Sequence, residues 1–197
     1  MNYDIIRGSR EDLKNAAEAK ISDVPWGSTY TPDCRFQGIY MEDEGFLFRL
    51  CAYESNPRIT YYENGGEICE DSCLEIFLNF APDKTDSYIN FEMNAAGAYL
   101  FGTGKDRYER KDLNTPVMPT VMAKVLEGIW EVELFIPNET IFAEYGKIDF
   151  APGYIIKGNA FKCGDLTDEP HYLTWSPVQR DEMDFHRPDR FGTFTLV

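Results

Sequence analysis

The chain is short of positive charge, of histidine and of long apolar runs, and each shortage excludes something. Lys and Arg number 19 against 34 Asp and Glu in 197 residues, a formal charge of −15. A field of that sign repels phosphate backbones and anionic headgroups within about one Debye length, so neither nucleic acid nor a membrane surface is an expected partner. No stretch reaches the roughly 18 apolar residues of a bilayer-spanning helix. The first residues, Met1 to Ser9, lack the basic start and apolar run of a secretory signal. As written the chain is expected to be cytoplasmic, or extracellular if the natural start lies upstream. The two histidines, His171 and His186, have no metal-ligand spacing to each other. No Ser-His-Asp or Cys-His nucleophile motif, Gly-rich phosphate loop, internal repeat or interdomain linker is visible. The five cysteines, Cys34, Cys51, Cys69, Cys73 and Cys163, are odd in number and scattered, which argues for buried free thiols rather than a disulfide framework. Cys69 and Cys73, spaced C-x3-C with only Cys163 and His186 downstream, do not by themselves specify zinc, and a metal site stays undefined.

What is present is strand signal. The length suits one domain, 1–197, with residues 1–40 read as an N-terminal helix and loop and 41–197 as the body. Ser9 reads as the N-cap of a short helix running to Lys20, with Leu13, Ala16 and Ala17 on one face. From Gly45 the period becomes two: Phe46, Phe48, Leu50 and Ala52 oppose Arg49, Cys51 and Tyr53. Trp130, Val132, Leu134 and Ile136 alternate with Glu131 and Glu133 until Pro137, after which Asn138 can cap a helical turn reaching Tyr145. Further strands are expected at Cys73–Phe80, Ser87–Met93, Ala98–Thr103, Pro119–Val125, Tyr154–Cys163, His171–Trp175 and Phe191–Val197, and 102–114 as a long surface loop. Many short strands without covering helices predict an all-β fold, a β-sandwich of mostly antiparallel strands with one or two short peripheral helices.

Register then singles out one face. If Leu74, Ile76 and Leu78 point inward, then Cys73, Glu75, Phe77 and Asn79 point outward. If Ile89, Phe91 and Met93 point inward, then Tyr88, Asn90, Glu92 and Asn94 do not. Tyr99 and Phe101 are expected to extend this outer face, and Lys157, Asn159 and Phe161 to repeat it. Carboxylates and amides interleaved with flat rings suit a sugar, whose hydroxyls need fixed partners while its C–H face packs on an aromatic surface.

Several segments carry a resemblance. Glu70-Asp-Ser-Cys-Leu-Glu-Ile-Phe-Leu78, Tyr88-Ile-Asn-Phe-Glu-Met-Asn94 with Gly97, Trp130-Glu-Val-Glu-Leu-Phe-Ile-Pro137, Gly158-Asn159, and the Trp175-Ser-Pro and Phe191-Gly ending follow the order found in carbohydrate-binding module family 9, of the DOMON-like superfamily. The chain resembles that family from about residue 40 to 197. The resemblance implies non-catalytic binding of a xylan- or glucan-derived saccharide, at a chain end in the best-described members, and a link to carbohydrate catabolism and glycoside hydrolases. It places the site's glutamate at Glu75, its asparagine at Asn94 and one stacking ring at Phe185. The second ring falls near Cys69, which is not aromatic, and the family's arginine falls on Glu92. Losing one ring removes about 1–2 kcal/mol of binding, unless Trp26, Tyr61 or Tyr62 replaces it.

The remaining candidate contacts are Trp26 in its loop of turn residues, Asn159 on the repeated face, and Arg107, with Arg110 beside it, as a clamp from the long loop. Trp175 either lines the site or packs under the last turn, and His186 reads first as a structural hydrogen-bonding residue. Three other classes stay open. Glu75 and Glu92 could face the same way on adjacent strands and form a glycosidase pair acting on O-glycosyl bonds. Met93, Met183 and His186 could ligate haem, as in some DOMON-like domains. Acidic loops at Asp71, Asp165 and Asp168 could hold a structural calcium, as in related modules.

Overall fold

The period-two segments become strands in the computed structural model, which describes residues 1–178 and 182–197. In chain order the strands are β1 (Asn2–Arg7), β2 (Ala19–Ile21), β3 (Cys34–Met41), β4 (Gly45–Ala52), β5 (Cys73–Asn79), β6 (Tyr88–Asn94) and β7 (Tyr99–Gly104). There follow β8 (Lys111–Asp112), β9 (Thr120–Leu126), β10 (Ile129–Pro137), β11 (Ile155–Gly164), β12 (His171–Thr174) and β13 (Gly192–Leu196). One α-helix, α1 (Asn138–Tyr145), and three 3-10 turns complete the described elements.

One layer runs β8-β7-β6-β5-β11-β13-β1 and the other β1-β3-β4-β10-β9, with β12 on β11 and β2 on β3. β1 joins them: its first half pairs parallel with β13 through Asn2–Ile5, and Ile6 and Arg7 pair parallel with β3. The remaining pairings are antiparallel, so the two layers are one sheet folded over itself. Between them Leu74, Ile76 and Leu78 of β5 meet Phe46, Phe48 and Leu50 of β4 and Trp130, Val132 and Leu134 of β10 in one apolar core. Each such fully buried side chain is worth about 1.5–3 kcal/mol relative to exposure.

The N-terminal forty residues differ from expectation. They contribute β1, β2 and β3 to the sandwich, and the helix is only a 3-10 turn, Arg10–Asn15. Asp12 accepts hydrogen bonds from the Ser9 backbone N and Oγ at 2.9 and 2.8 Å, which hold its carboxyl below the ordinary value and cap the turn at its start, and Ala16 is already extended at its end. β1 was hidden because only Tyr3 and Ile5 of its six residues are buried. Pro137 rather than Asn138 takes the N-cap position of α1, and the buried Asn138 side chain points its amide toward the Tyr40 hydroxyl instead, at 3.4 Å.

One polar network sits inside the core. Lys162, on the inward face of β11, is fully buried. Its Nζ donates to the Cys163 carbonyl at 2.8 Å and lies 2.6 Å from His171 Nε2 and 3.5 Å from Glu54 Oε2. Glu54 also accepts from Trp130 Nε1 at 2.9 Å and Ser72 Oγ at 2.9 Å. With the lysine donating to Nε2, His171 is the neutral tautomer whose Nδ1–H donates to the Glu169 carbonyl, 2.8 Å away. Burial first, and the Lys162 charge second, lower its pKa from 6.5 to about 4.

The folded state therefore binds fewer protons at this group than the unfolded chain between pH 6.5 and about 4. Its contribution is fully present above pH 6.5 and is lost as pH falls through that window. Urea unfolding of the wild type and of His171→Gln across pH 7 to 4 is expected to show a shallower acid loss in the variant, whose amide oxygen still accepts from Lys162. Parallel pH slopes for the two proteins would contradict this assignment.

Candidate functional site

The outer face of the β5–β6–β11 layer is not solvated, as a half-buried strand would be: every residue of β5 and β6 is buried. Phe77, Tyr88, Phe161 and Val178 form a second apolar cluster there, covered by Trp26, Phe185 and Phe191. His186 closes its edge, with Nδ1 2.7 Å from the Tyr88 hydroxyl and its ring 4.9 Å from that of Phe77. Burial, with the charges of Arg110 and Arg107, lowers the His186 pKa to about 3.

Beside this cluster lies a cleft of about 210 Å³. Its floor follows from register: Phe161, Glu75, Glu92 and Leu100 stand side by side across β11, β5, β6 and β7. Glu75 and Glu92 are direct cross-strand partners, an arrangement that repels when both are charged. Burial first, and the neighbouring Glu92 second, push the Glu75 carboxyl well above its usual range. Burial also raises Glu92, opposed by Arg110. Arg110 Nη1 donates to Glu92 Oε1 at 2.6 Å, and Asn90 Nδ2 donates to the same oxygen at 2.8 Å. Cys163 Sγ donates to Glu75 Oε1 at 2.9 Å.

Arg110 reaches Glu92 by crossing over Gly102. A Cβ there would lie 2.7 Å from Asn90 Oδ1 and 2.9 Å from Arg110 Cδ, so the missing side chain is the channel for the arginine. The walls carry Trp26, Tyr172 and Phe185, with Cys69, Glu67, Asp165 and Arg107 around the mouth. Phe185 stacks on Phe161 at 4.3 Å and 19°, and Trp26 leans on Phe185 at 5.4 Å and 35°. Two rings gripping a sugar from both sides would stand about 7–8 Å apart, twice the contact distance. Here they touch, forming one continuous apolar wall.

Of the residues singled out in the sequence, Glu75, Glu92, Phe185, Trp26 and Arg107 line this cleft. Asn94, Asn159 and Trp175 do not. The Asn94 amide donates to the Tyr61 carbonyl and to Asp71 Oδ2, and its oxygen accepts from Ala96 N and Ala98 N, which fixes the turn before Gly97. Asn159 exchanges hydrogen bonds with the Ser176 backbone. Trp175 packs in the main core against Phe36 and Phe194. Tyr99 and Phe101 also turn inward, because β7 pairs Phe91 with Phe101 and sets Leu100 toward the cleft. Tyr172 and Glu67 were missed, and Asp165 was read only as a possible calcium ligand; their strand or loop gave no sign of facing Glu75. Where the family's second ring was expected, Cys69 lines the cleft, and Trp26 and Tyr172 bring rings from elsewhere, while Tyr62 is exposed.

The other chemistries fare poorly. Glu75 and Glu92 do face the same way on adjacent strands, but both are already engaged, Glu75 by Cys163 and Glu92 by Arg110 and Asn90. Met93 is in the main core and His186 over the opposite face, so these two cannot share a haem, while Met183 lines the cleft with His186. The oxygens of buried Asp71 are taken by Thr60 N and Oγ1, Tyr61 N and Asn94 Nδ2; burial works to raise its pKa, but these bonds outweigh it and hold the carboxyl ionised. Asp165 lines the cleft and Asp168 a separate cavity of about 450 Å³, so the three do not combine into a calcium site.

The chain has the same fold as a candidate carbohydrate-binding protein of Bacteroides uniformis ATCC 8492, with TM-score 0.85, 24% identity and coverage of 100% of this chain and 99% of the other. It is also similar to a carbohydrate binding module family 9 from Caldicellulosiruptor kristjanssonii solved in complex with glucose, at TM-score 0.71 and 12% identity over 100% and 96% of the chains. The same organism's module in complex with cellotriose gives TM-score 0.72 and 12% identity over 100% and 93%. A comparison with curated proteins finds no match. The model of carbohydrate-binding family 9 matches residues 9–196, nearly the whole length, and with it the chain belongs to that family of non-catalytic sugar-binding modules.

Proposed function

We propose that this cleft binds the end of a glucan- or xylan-derived saccharide without cleaving it, in the service of carbohydrate catabolism. The observation that carries the reading is the pairing of Glu75 and Glu92 on one floor beneath the Trp26–Phe185 wall. Carboxyls accept from sugar hydroxyls, Arg110 and Asn90 hold one of them in a fixed pose, and the ring wall offers a surface for C–H groups. The neighbouring fold from Caldicellulosiruptor kristjanssonii, bound to glucose and to cellotriose, supports the ligand class. The cleft is smaller than the about 300–1,000 Å³ of drug-sized pockets, which suits one or two sugar rings.

Isothermal titration calorimetry against glucose, cello- and xylo-oligosaccharides and their reduced alditols tests this. Binding is expected for at least one series; Glu75→Ala should abolish it and Phe185→Ala weaken it roughly 5–30-fold, about 1–2 kcal/mol. No heat from any of these sugars with folded protein would sink the reading. A second test uses Gly102→Val. The added side chain is expected to displace Arg110, lower stability by about 1–3 kcal/mol in thermal unfolding and weaken saccharide binding while the circular dichroism spectrum stays that of the wild type.

A further inference from the structure

At the inner end of the cleft floor, two thiols and a carboxylate converge. Cys73 and Cys163 are direct register partners across β5 and β11, and Glu75 is the next residue along β5 on the same face. One ligand atom from each lies within 4.8 Å of the other two. Cys163 Sγ is 2.9 Å and Cys73 Sγ 3.9 Å from Glu75 Oε1, and all three residues are buried. A tetrahedral ion with metal–sulfur bonds of about 2.3 Å and metal–oxygen bonds of about 2.0–2.2 Å spaces its ligand atoms roughly 3.6–3.8 Å apart. The Cys73–Glu75 distance is already near that spacing, and the Cys163–Glu75 contact would open by about 0.7 Å. Glu75 and Cys163 border the cleft, which gives an ion a way in.

We propose that Cys73, Cys163 and Glu75 hold one soft divalent cation of the zinc class, its fourth position open to water in the cleft. Binding converts both thiols to thiolates and the Glu75 carboxyl to carboxylate, releasing the thiol protons and any proton held by Glu75 to solvent, so two thiolates and one carboxylate face a charge of two. Thiolate ligands select a soft ion over calcium or magnesium. The assignment rests on this cluster and not on saccharide binding, although an occupied site would couple the two through Glu75.

The test is titration of the reduced, metal-free full chain with Cd²⁺ and Zn²⁺, in the absence of sugar. One Cd²⁺ per chain is expected, with a thiolate-to-cadmium charge-transfer band and a cadmium NMR resonance reporting two sulfur ligands. Zn²⁺ should displace it. The band should persist in Cys34→Ser, Cys51→Ser and vanish in Cys73→Ser, Cys163→Ser, with affinity falling roughly 100-fold or more. The NMR readout needs only the wild type, so a double variant that fails to fold does not blunt the test. No band in the wild type, a resonance without sulfur ligation, or an unchanged band in the Cys73, Cys163 variant would overturn the proposal. Because no saccharide is present, that failure leaves the sugar reading standing.

Discussion

The register of β5 between β11 and β6 is the constraint on which the cleft depends. It sets Phe161, Glu75, Glu92 and Leu100 in one row, and a slip of β5 by one residue would send Glu75 into the apolar core and bring Ile76 out. Two buried carboxyls side by side are costly unless they are neutralised or paired. The structure meets that cost from three directions: Arg110 crosses the gap left by Gly102, Asn90 donates from two residues along β6, and Cys163 donates from β11. Of these partners only Asn90 is near in sequence to the group it serves, two residues away. The polar floor is thus a product of sheet pairing.

The same strand that supplies the floor also anchors the core beneath it. Along β11, Phe161 and Cys163 face the cleft while Lys162 between them points inward to His171 and Glu54. Glu54 in turn holds the indole of Trp130 on the facing layer. Removing Glu54 would leave a lysine charge inside the protein with no counter-ion, a loss of the order of 3–5 kcal/mol for buried pairs. This network ties the two layers together one residue away from the site. Rigidity at the cleft floor is inherited from it.

How much of this was legible beforehand follows from burial geometry. β4, β5, β6 and β10 alternate strictly or carry flanking turn residues, and their inward positions agree with the structure. β1 and β3 were unreadable: β1 is mostly exposed, and β3 ends in four consecutive buried residues because it lies under other segments. The floor pair Glu75 and Glu92 could be found because alternation fixes the face of a central strand. Asn94 and Asn159 share that face yet face no cleft, since amides satisfy turn and loop backbone as readily as ligands. Alternation also misplaced Tyr99 and Phe101, where the hairpin through Gly97 resets the pairing. Which loop ring covers which strand, as Trp26 does, is a tertiary fact that no local pattern encodes.

The touching rings then decide what kind of recognition this cleft can perform. A sugar gripped between two separated rings gains apolar contact on both faces, whereas the single Trp26–Phe185 wall gives contact on one. More of the discrimination falls on the polar floor. A floor of buried carboxyls, one fixed by an arginine, rejects a ligand that lacks the matching hydroxyl, because the unmet group stays desolvated and unpaired. An apolar wall cannot discriminate in that way. On the proposed reading, with Cys69 and no second separated ring in this cleft, a bound saccharide draws less on stacking and more on the hydroxyl pattern that the floor meets.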